Sequence, residues 1–184
     1  WGPTGLEGPC GPTTEIYIGI EIWNLVFNEY YQNEKRSLSP LEQKGVDTGM
    51  GLERLAMVVQ NKDSVFETDL FLPIISQIPG QNEKAKRIIS DHIKSSAFLI
   101  AEGILPSNVE RGYVLRRILR RAIRYGKLLD LPRNFLIPLA KEVVEIYEQV
   151  YPELKSKETD ILTVIQNEEE KFERTLEAGL KQFE

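Results

Sequence analysis

Cysteine and histidine are almost absent from this sequence, with one of each among 184 residues. A single cysteine, Cys10, cannot form an internal disulfide, so a disulfide-stapled secreted scaffold is excluded and a reducing compartment is favoured. The single histidine, His92, has no second histidine or cysteine near it in the sequence, and we interpret it as a core or groove residue rather than a metal ligand. No Cys–His pairing for nucleophilic catalysis is indicated, and we expect Cys10 to be a small buried hydrophobe.

Long apolar runs are also missing. None approaches the length of a membrane span, and the first residues lack the basic start and apolar stretch of a signal peptide. We therefore expect a cytoplasmic protein with no membrane partner. The chain is acidic overall, with 28 Asp and Glu against 23 Lys and Arg and a net charge of −5. That balance argues against a surface that is basic throughout but leaves room for a local basic face.

The chain opens at Trp1 inside a loop rich in glycine and proline, and a helical pattern runs to Glu184 without a cap. We interpret both ends as cuts and the chain as an internal fragment of a longer protein. Residues 1–12 contain so many glycines and prolines that a helix or a central strand is excluded there. Because a linker would usually lack Trp and Cys, we interpret this segment as the wall of a pocket.

The chain is organised around the stretch VDTGMGLER, from Val46 to Arg54. Asp47 stands before two glycines, and good helix formers follow, so the pattern predicts a strand or loop that turns into a helix over Gly51–Gln60. Arg54, about one turn into that helix, is placed to reach an anionic or planar ligand. A tight turn with a surface aspartate and a surface arginine explains the same stretch equally well.

Hydrophobic alternation precedes this stretch. Between Thr14 and Tyr31, isoleucines alternate with other residues, which predicts two antiparallel strands that turn at Gly19. A polar turn over Gln32–Pro40 and a strand over Leu41–Val46 are predicted next. The predicted strands also contain Glu21, Trp23 and Asn24. These residues need hydrogen-bonding partners unless the face of the sheet that they occupy is exposed.

After Gly51 the apolar period changes from two to about 3.6, which predicts helices in the remainder of the chain. These predicted helices span Glu67–Gln77, Glu83–Glu102, Pro132 to about Tyr151, and Glu158–Glu184. We expect Pro152 to end the third. Along the last, an apolar stripe continues to Leu180 and Phe183, and the residues from Asn167 to Glu170 are expected to form an exposed acidic patch. The predicted fold class is α+β, a β-rich piece followed by helices.

Arginine is concentrated in one further segment, which begins at Arg111 and reads RGYVLRRILRRAIRYGK. At about 100° per residue, six cations fall within a sector of about 140° of a helix. They are Arg116, Arg117, Arg120, Arg121, Arg124 and Lys127. Two interpretations stay open at this point. The sector is either a solvated face paired with acids of neighbouring helices, or a phosphate-binding face, which the preference for Arg over Lys favours.

Five segments, in this order, resemble alanyl-tRNA synthetase, a class II aminoacyl-tRNA synthetase: GPCGPTTEI, EIWNLVF, VDTGMGLERLA, DHIKSSAFLIAEGILPSN and RGYVLRRILRRAIRYG. The resemblance implies part of the class II antiparallel sheet in residues 1–78, the C-terminal part of the catalytic domain. It implies an all-α helical tRNA-recognition domain in residues 79–184. The implied activity is that of an ATP-dependent alanine–tRNA ligase, which uses ATP and Mg²⁺ to activate alanine and transfers it to the 3′ end of tRNA(Ala).

The same resemblance implies roles for single residues, none of them a catalytic nucleophile or base. The alanine site would contain Trp1, Asn24, Val26, Asp47 and Gly49. There, Asp47 would hold the α-ammonium group as a buried strand carboxylate, and Gly49 would have no room for a side chain. The ATP site would contain Gly51, Arg54 and Glu21, and Glu21 is also the candidate magnesium contact. The tRNA contacts would be Asn108, which reads the G·U pair of the acceptor stem, and the arginines Arg111, Arg116, Arg117, Arg120, Arg121 and Arg124.

Some parts of the family pattern are missing from this stretch. Thr13 stands where many members have a second cysteine, so no metal or redox pair forms there. The first two class II motifs, the acidic partner residue for the G·U pair, and the editing domain with its zinc site are absent. We therefore expect the isolated chain to be inactive. Two alternatives to the ligase are a non-catalytic RNA-binding helical module and a purely structural interaction fragment.

Overall fold

A computed structural model describes residues 1–180, apart from the side chains of residues 177 and 180. Its contacts divide the chain into two compact units, the first from Trp1 to Thr68 and the second from Asp69 onwards. The boundary between these units therefore falls after residue 68, whereas the resemblance places a domain boundary after residue 78. The assignment of the two pieces to a catalytic and a tRNA-recognition domain stays a prediction.

The first unit is built on a four-stranded antiparallel sheet. Its strands are β1 (Gly8–Cys10), β2 (Thr13–Ile18), β3 (Ile20–Gln32) and β4 (Leu38–Met50). β3 lies in the centre, pairing with β4 along one edge and with β2 and then β1 along the other. The predicted hairpin is confirmed: Gly19 joins β2 to β3 with a φ of 71°, a conformation that glycine adopts without steric cost.

Two boundaries in the sheet differ from the predicted ones. The polar turn is shorter than Gln32–Pro40, because β4 already begins at Leu38 and includes Pro40. β4 is an edge strand, where a proline can pair without a complete set of N–H donors. Within the glycine- and proline-rich start, only the short edge strand β1 forms, and Cys10 at its end is buried, as predicted.

Helix α1 (Leu52–Val59) follows β4 directly, which confirms the predicted strand-to-helix junction. The continuous helix predicted over Glu67–Gln77 is wrong. A 3₁₀ turn (Val65–Glu67) forms first, and it ends because Thr68 is extended and its hydroxyl donates to the Val65 carbonyl at 2.6 Å. Helix α2 (Leu72–Ser76) then starts with Pro73 in its first turn, a position that proline favours.

The second unit is helical, with α3 (Glu83–Ala101), α4 (Glu110–Leu128), α5 (Leu136–Tyr147), α6 (Pro152–Ser156) and α7 (Glu158–Leu180). α3 packs against α4, α5 and α7 around an apolar core. The fully buried side chains in this core include Ile89, Ile93, Leu115, Leu119, Ile123, Ile161 and Ile165. The predicted α+β class, with a sheet followed by helices, is confirmed. No helix in the described part of the chain combines the length and apolar character needed to cross a membrane.

Two details of the helical unit confirm or correct predictions, and part of a third prediction falls outside the described residues. His92 is buried in α3, as predicted, with 8% of its surface exposed. The helix predicted from Pro132 begins later, at Leu136, and Pro152 both follows it and starts α6. The stripe residue Phe183 lies outside the described residues, as does the side chain of Leu180.

The acidic patch predicted on α7 is the largest error in this unit. Glu168 and Glu169 are buried, with 6% and 0% of their surfaces exposed, and so is Glu173. Glu168 and Glu173 pair with cations of α4, while Glu169 lies near the first backbone N–H groups of α5. The prediction is therefore wrong for Glu168 and Glu169, which lie inside the unit, while Asn167 is exposed and Glu170 is half-buried.

Candidate ligand pocket and RNA-binding face

The first unit contains a pocket of about 170 Å³ between the glycine- and proline-rich segment and the sheet. One wall is formed by that segment, including Trp1, which confirms its interpretation as a pocket wall. The sheet contributes Val26 of β3 and Asp47 of β4, which stand directly opposite each other in the strand register. The main chain of Gly11 closes the loop, since its N–H donates to the Trp1 carbonyl at 3.3 Å.

Asp47 lines this pocket, and its carboxylate has no partner among the described residues. It is exposed, which corrects the expectation of a buried strand carboxylate. Within residues 1–180 no hydrogen bond or ion pair engages it. A free carboxylate at a small pocket is suited to a cationic group such as an ammonium ion, which can make charge-assisted hydrogen bonds with it.

Asn24 and Gly49 lie on the same sheet face as Val26 and Asp47, but two residues further along and outside the pocket lining. The Asn24 amide donates to the Thr13 hydroxyl at 3.0 Å, so its orientation is fixed within the sheet. A Cβ added at Gly49 would meet no atom within 4 Å. The expectation that Gly49 has no room for a side chain is therefore wrong for the described residues.

The three residues assigned to ATP come together where β4 joins α1. The Arg54 guanidinium donates to the Glu21 carbonyl at 2.9 Å and lies 3.6 Å from its carboxylate. Gly51 donates its N–H to the Ile22 carbonyl at 3.0 Å, and a Cβ added at Gly51 would come within 3.2 Å of the Arg54 side chain. Both charged side chains are partly exposed, so their ion pair is weak and can be exchanged for contacts with a ligand.

Glu21 is the carboxylate available for a magnesium ion at this junction. Nowhere in the described ranges, this junction included, do three His, Cys, Asp or Glu side chains cluster as a metal site. One carboxylate fits the usual mode of Mg²⁺ binding to nucleotides, in which phosphate oxygens and water supply the other ligands. Trp23, the other β3 residue expected to need a polar partner, also has one, since its indole N–H donates to the Thr48 hydroxyl at 2.6 Å.

In the second unit, the cations of α4 divide into two groups. One group faces α7: Arg120 Nε lies 2.6 Å and Arg116 Nε 3.8 Å from Glu168 Oε1. Lys127 lies 2.7 Å from Glu173 in the same interface. For this group the interpretation as cations paired with neighbouring acids is the one that the geometry supports.

The other group points to solvent. Arg117, Arg121 and Arg124 are exposed, and no carboxylate among the described residues forms an ion pair with them. Arg111, in the first turn of α4, is exposed as well and likewise without a described ion pair. The Arg121 guanidinium stands 6.0 Å from the ring of Tyr125. An anionic ligand that runs along this side of α4 could therefore contact several arginines at once.

Asn108 lies in the loop before α4 and contacts the group that faces α7. It is exposed, and its amide oxygen accepts a hydrogen bond from the Arg116 guanidinium. The loop itself is fixed by Ser107, whose N–H donates to the Gly112 carbonyl at 3.0 Å. A Cβ at Gly112 would come within 2.3 Å of the Ser107 hydroxyl, so only glycine allows this close approach. The role of Arg116 was missed, since a spacing of eight residues across a helix start gives no signal of contact.

Comparison with known proteins identifies the family of this chain. A family model described as tRNA synthetases class II (A) matches residues 2–184. The chain is 43% identical over 208 residues to an alanine–tRNA ligase of Desulfosudis oleivorans, covering 96% of this chain and 24% of that protein. It is 44% identical over 214 residues to one of Borreliella afzelii, covering 100% and 36%, and 48% identical over 183 residues to one of Pseudothermotoga lettingae, covering 94% and 21%.

The chain thus spans between about a fifth and about a third of the length of these curated relatives. The family match, by contrast, extends over nearly the whole of this sequence. Both units, the sheet with its pocket and the helices with their arginine face, fall inside the matched residues apart from Trp1. The chain belongs to the class II (A) family of tRNA synthetases.

Proposed function

We propose that this chain is part of an alanine–tRNA ligase that activates alanine with ATP and transfers it to tRNA(Ala) in the cytoplasm. The observation that supports this most directly is the Asp47 carboxylate, which pairs with no described residue, in a pocket of about 170 Å³ next to Trp1 and Val26. A pocket of that size suits a small amino acid, and the carboxylate suits its α-ammonium group. Three of the five residues assigned to the alanine site line it.

The chemistry requires little from side chains as reagents. The alanine carboxylate attacks the α-phosphorus of ATP, pyrophosphate leaves, and an alanyl-adenylate forms. Such a displacement depends on positioning and charge neutralisation. In this proposal Arg54 holds the nucleotide from the glycine turn, and Glu21 contributes to binding Mg²⁺, which neutralises phosphate charge when bound. Because a small pocket rejects glycine and serine poorly, a ligase of this type needs an editing step.

The test is pyrophosphate exchange in the full-length protein that contains this chain. Asp47→Asn keeps the size of the side chain but removes the charge, so alanine-dependent exchange should fall strongly. Asp63→Asn is the matched control, because Asp63 is another exposed aspartate of the same unit and lies outside the pocket. Exchange that is unchanged in Asp47→Asn would remove the assignment.

A second part of the proposal concerns RNA. The solvent-facing group of arginines on α4, at 117, 121 and 124, is suited to the phosphates of an acceptor stem, and Asn108 to a base edge of its G·U pair in the wide minor groove. The observation favouring this is that these cations, unlike Arg116 and Arg120, have no carboxylate partner among the described residues. A non-catalytic RNA-binding module would share this face, but it would leave the free Asp47 and the pocket unexplained.

Wobble preference is the measurement that tests Asn108. In the full-length protein, Asn108→Ala should bring the affinity for an acceptor-stem duplex with a G·U pair close to that for one with a G·C pair. A preference that survives this substitution would show that Asn108 is not the base contact.

A further inference from the structure

The orientation of the Asn108 amide follows from its partner. A primary amide has one acceptor oxygen and two N–H donors, whereas a guanidinium has donors only. The atom of the Asn108 amide that faces Arg116 must therefore be its oxygen, and in the structure this oxygen does accept the hydrogen bond from the Arg116 guanidinium. The two amide N–H donors remain for a ligand, and Asn108 is exposed.

Arg116 is in turn positioned by Glu168 of α7. Its side chain is only 17% exposed, and its Nε, which is buried and makes no hydrogen bond, stands 3.8 Å from Glu168 Oε1. The Glu168 carboxylate is 6% exposed and is itself fixed by Arg120 Nε at 2.6 Å. Because Arg120 holds the Glu168 carboxylate in place, moving Arg116 away from it would leave the mostly buried guanidinium without its carboxylate partner. The result is a chain of contacts from α7 through α4 to the loop.

We propose that Arg116 and Glu168 are positioning residues for Asn108. They keep the amide oxygen occupied and direct the amide N–H donors outward, so Asn108 acts on RNA as a donor. The chemical group it recognises is then a base acceptor, a carbonyl oxygen or a ring nitrogen, and not an amino group. This inference rests on the proposed function, because it takes Asn108 to be a base contact.

The first arm of the test needs no RNA. Without RNA, the side-chain amide resonances of Asn108 in an NMR spectrum report the hydrogen bond to Arg116. They are identified by their absence in Asn108→Ala. Arg116→Met removes the donor and should shift these resonances, whereas Arg116→Lys should retain part of the effect. Lys155→Met removes a cation that pairs with helix carboxylates elsewhere in the unit, and it should leave the resonances in place. Unchanged Asn108 resonances in Arg116→Met would overturn the inference.

The second arm uses acceptor-stem duplexes with a G·U or a G·C pair and the full-length protein. Arg116→Met should lower the ratio of their affinities by about tenfold, because a hydrogen bond made to only one of the two duplexes changes their relative affinity by about that factor. Asn108→Asp has the same shape but only acceptors, so the ratio should fall there too. If Asn108→Ala abolishes the ratio while Arg116→Met and Asn108→Asp preserve it, this inference alone is overturned. If Asn108→Ala leaves the ratio intact, the base contact of the proposed function fails, and the donor role with it.

Discussion

Glu169 offers a stability prediction that is independent of any ligand. Its side chain is fully buried in the helical unit. Burial raises the pKa of this carboxyl from 4.5 to about 7; nearby backbone N–H groups of Leu136, Phe135 and Asn134 lower it, and the Glu173 carboxylate raises it further. None of these N–H groups forms a hydrogen bond of normal geometry with either carboxylate oxygen. The charged form is thus poorly compensated in the folded chain.

The size of the effect follows from this shift. A rise in pKa from 4.5 to about 7 corresponds to about 3 kcal/mol in full, at about 1.36 kcal/mol per pKa unit. Because the folded-state pKa lies above the unfolded one, the folded chain binds more protons between these values. The stabilising contribution of Glu169 is therefore complete below about pH 4.5 and is lost as the pH rises through about 7.

Glu169→Gln replaces the carboxyl by a group that resembles its protonated form at every pH. At pH 4.5 the substitution should change the free energy of unfolding little. At pH 8.5 the free energy of unfolding of the variant, relative to that of wild type, should be about 3 kcal/mol higher than at pH 4.5. Urea denaturation followed by circular dichroism at intervals over this range measures the difference between the two chains. Taking the difference removes the titration of groups that both chains share.

The matched control is Glu170→Gln, one residue along α7 and only half-buried. Its pH profile reports what the removal of one carboxylate does at the helix surface. A difference between wild type and Glu169→Gln that is flat from pH 4.5 to 8.5, or that grows toward acid, would refute the account of Glu169 as an uncompensated buried acid.

Three further predictions concern the two candidate sites. Arg117→Ala or Arg121→Ala should weaken binding to wobble and Watson–Crick stems alike, by about 1 kcal/mol or more each, and should reduce the salt slope; a loss of thermal stability with an unchanged slope would assign them to internal ion pairs. Gly112→Ala should destabilise the helical unit by about 1–3 kcal/mol, because the new methyl group collides with Ser107. A variant with the same free energy of unfolding as wild type in urea denaturation would contradict this. The isolated 184-residue chain should show no useful pyrophosphate exchange, and robust exchange would contradict its expected dependence on absent motifs.

The sheet and the junction with α1 could be predicted because local signals and tertiary structure agree there. Alternating isoleucines up to Gly19 indicate the hairpin, and the glycines before Leu52 indicate the turn into the helix. Helix ends were less predictable, as Thr68 shows: its hydroxyl stops a turn by a hydrogen bond that no composition rule identifies. Prolines were ambiguous for a different reason: a residue such as Pro152 can either follow the end of one helix or occupy the first turn of the next.

The candidate sites were predictable by residue type but not by environment. Glu168 belongs to a run of three acids, which predicts a solvated surface, and only the packing of α7 against α4 shows that Arg116 and Arg120 neutralise it. The arginine sector was correctly recognised as basic, but its division into a paired and a free group depends on which neighbour each side meets. The pocket wall around Trp1 was predictable from composition, whereas the room left at Gly49 was not.

The most direct measurement of the central claim is calorimetric binding of a non-hydrolysable alanyl-adenylate analogue to the full-length protein. Wild type and the control Asp63→Asn should bind it, while Asp47→Asn should bind at least about tenfold more weakly because a charge-assisted hydrogen bond to the α-ammonium group is lost. Absence of binding to wild type would favour the non-catalytic alternatives. Equal affinity of wild type and Asp47→Asn would contradict the assignment of this pocket to alanine.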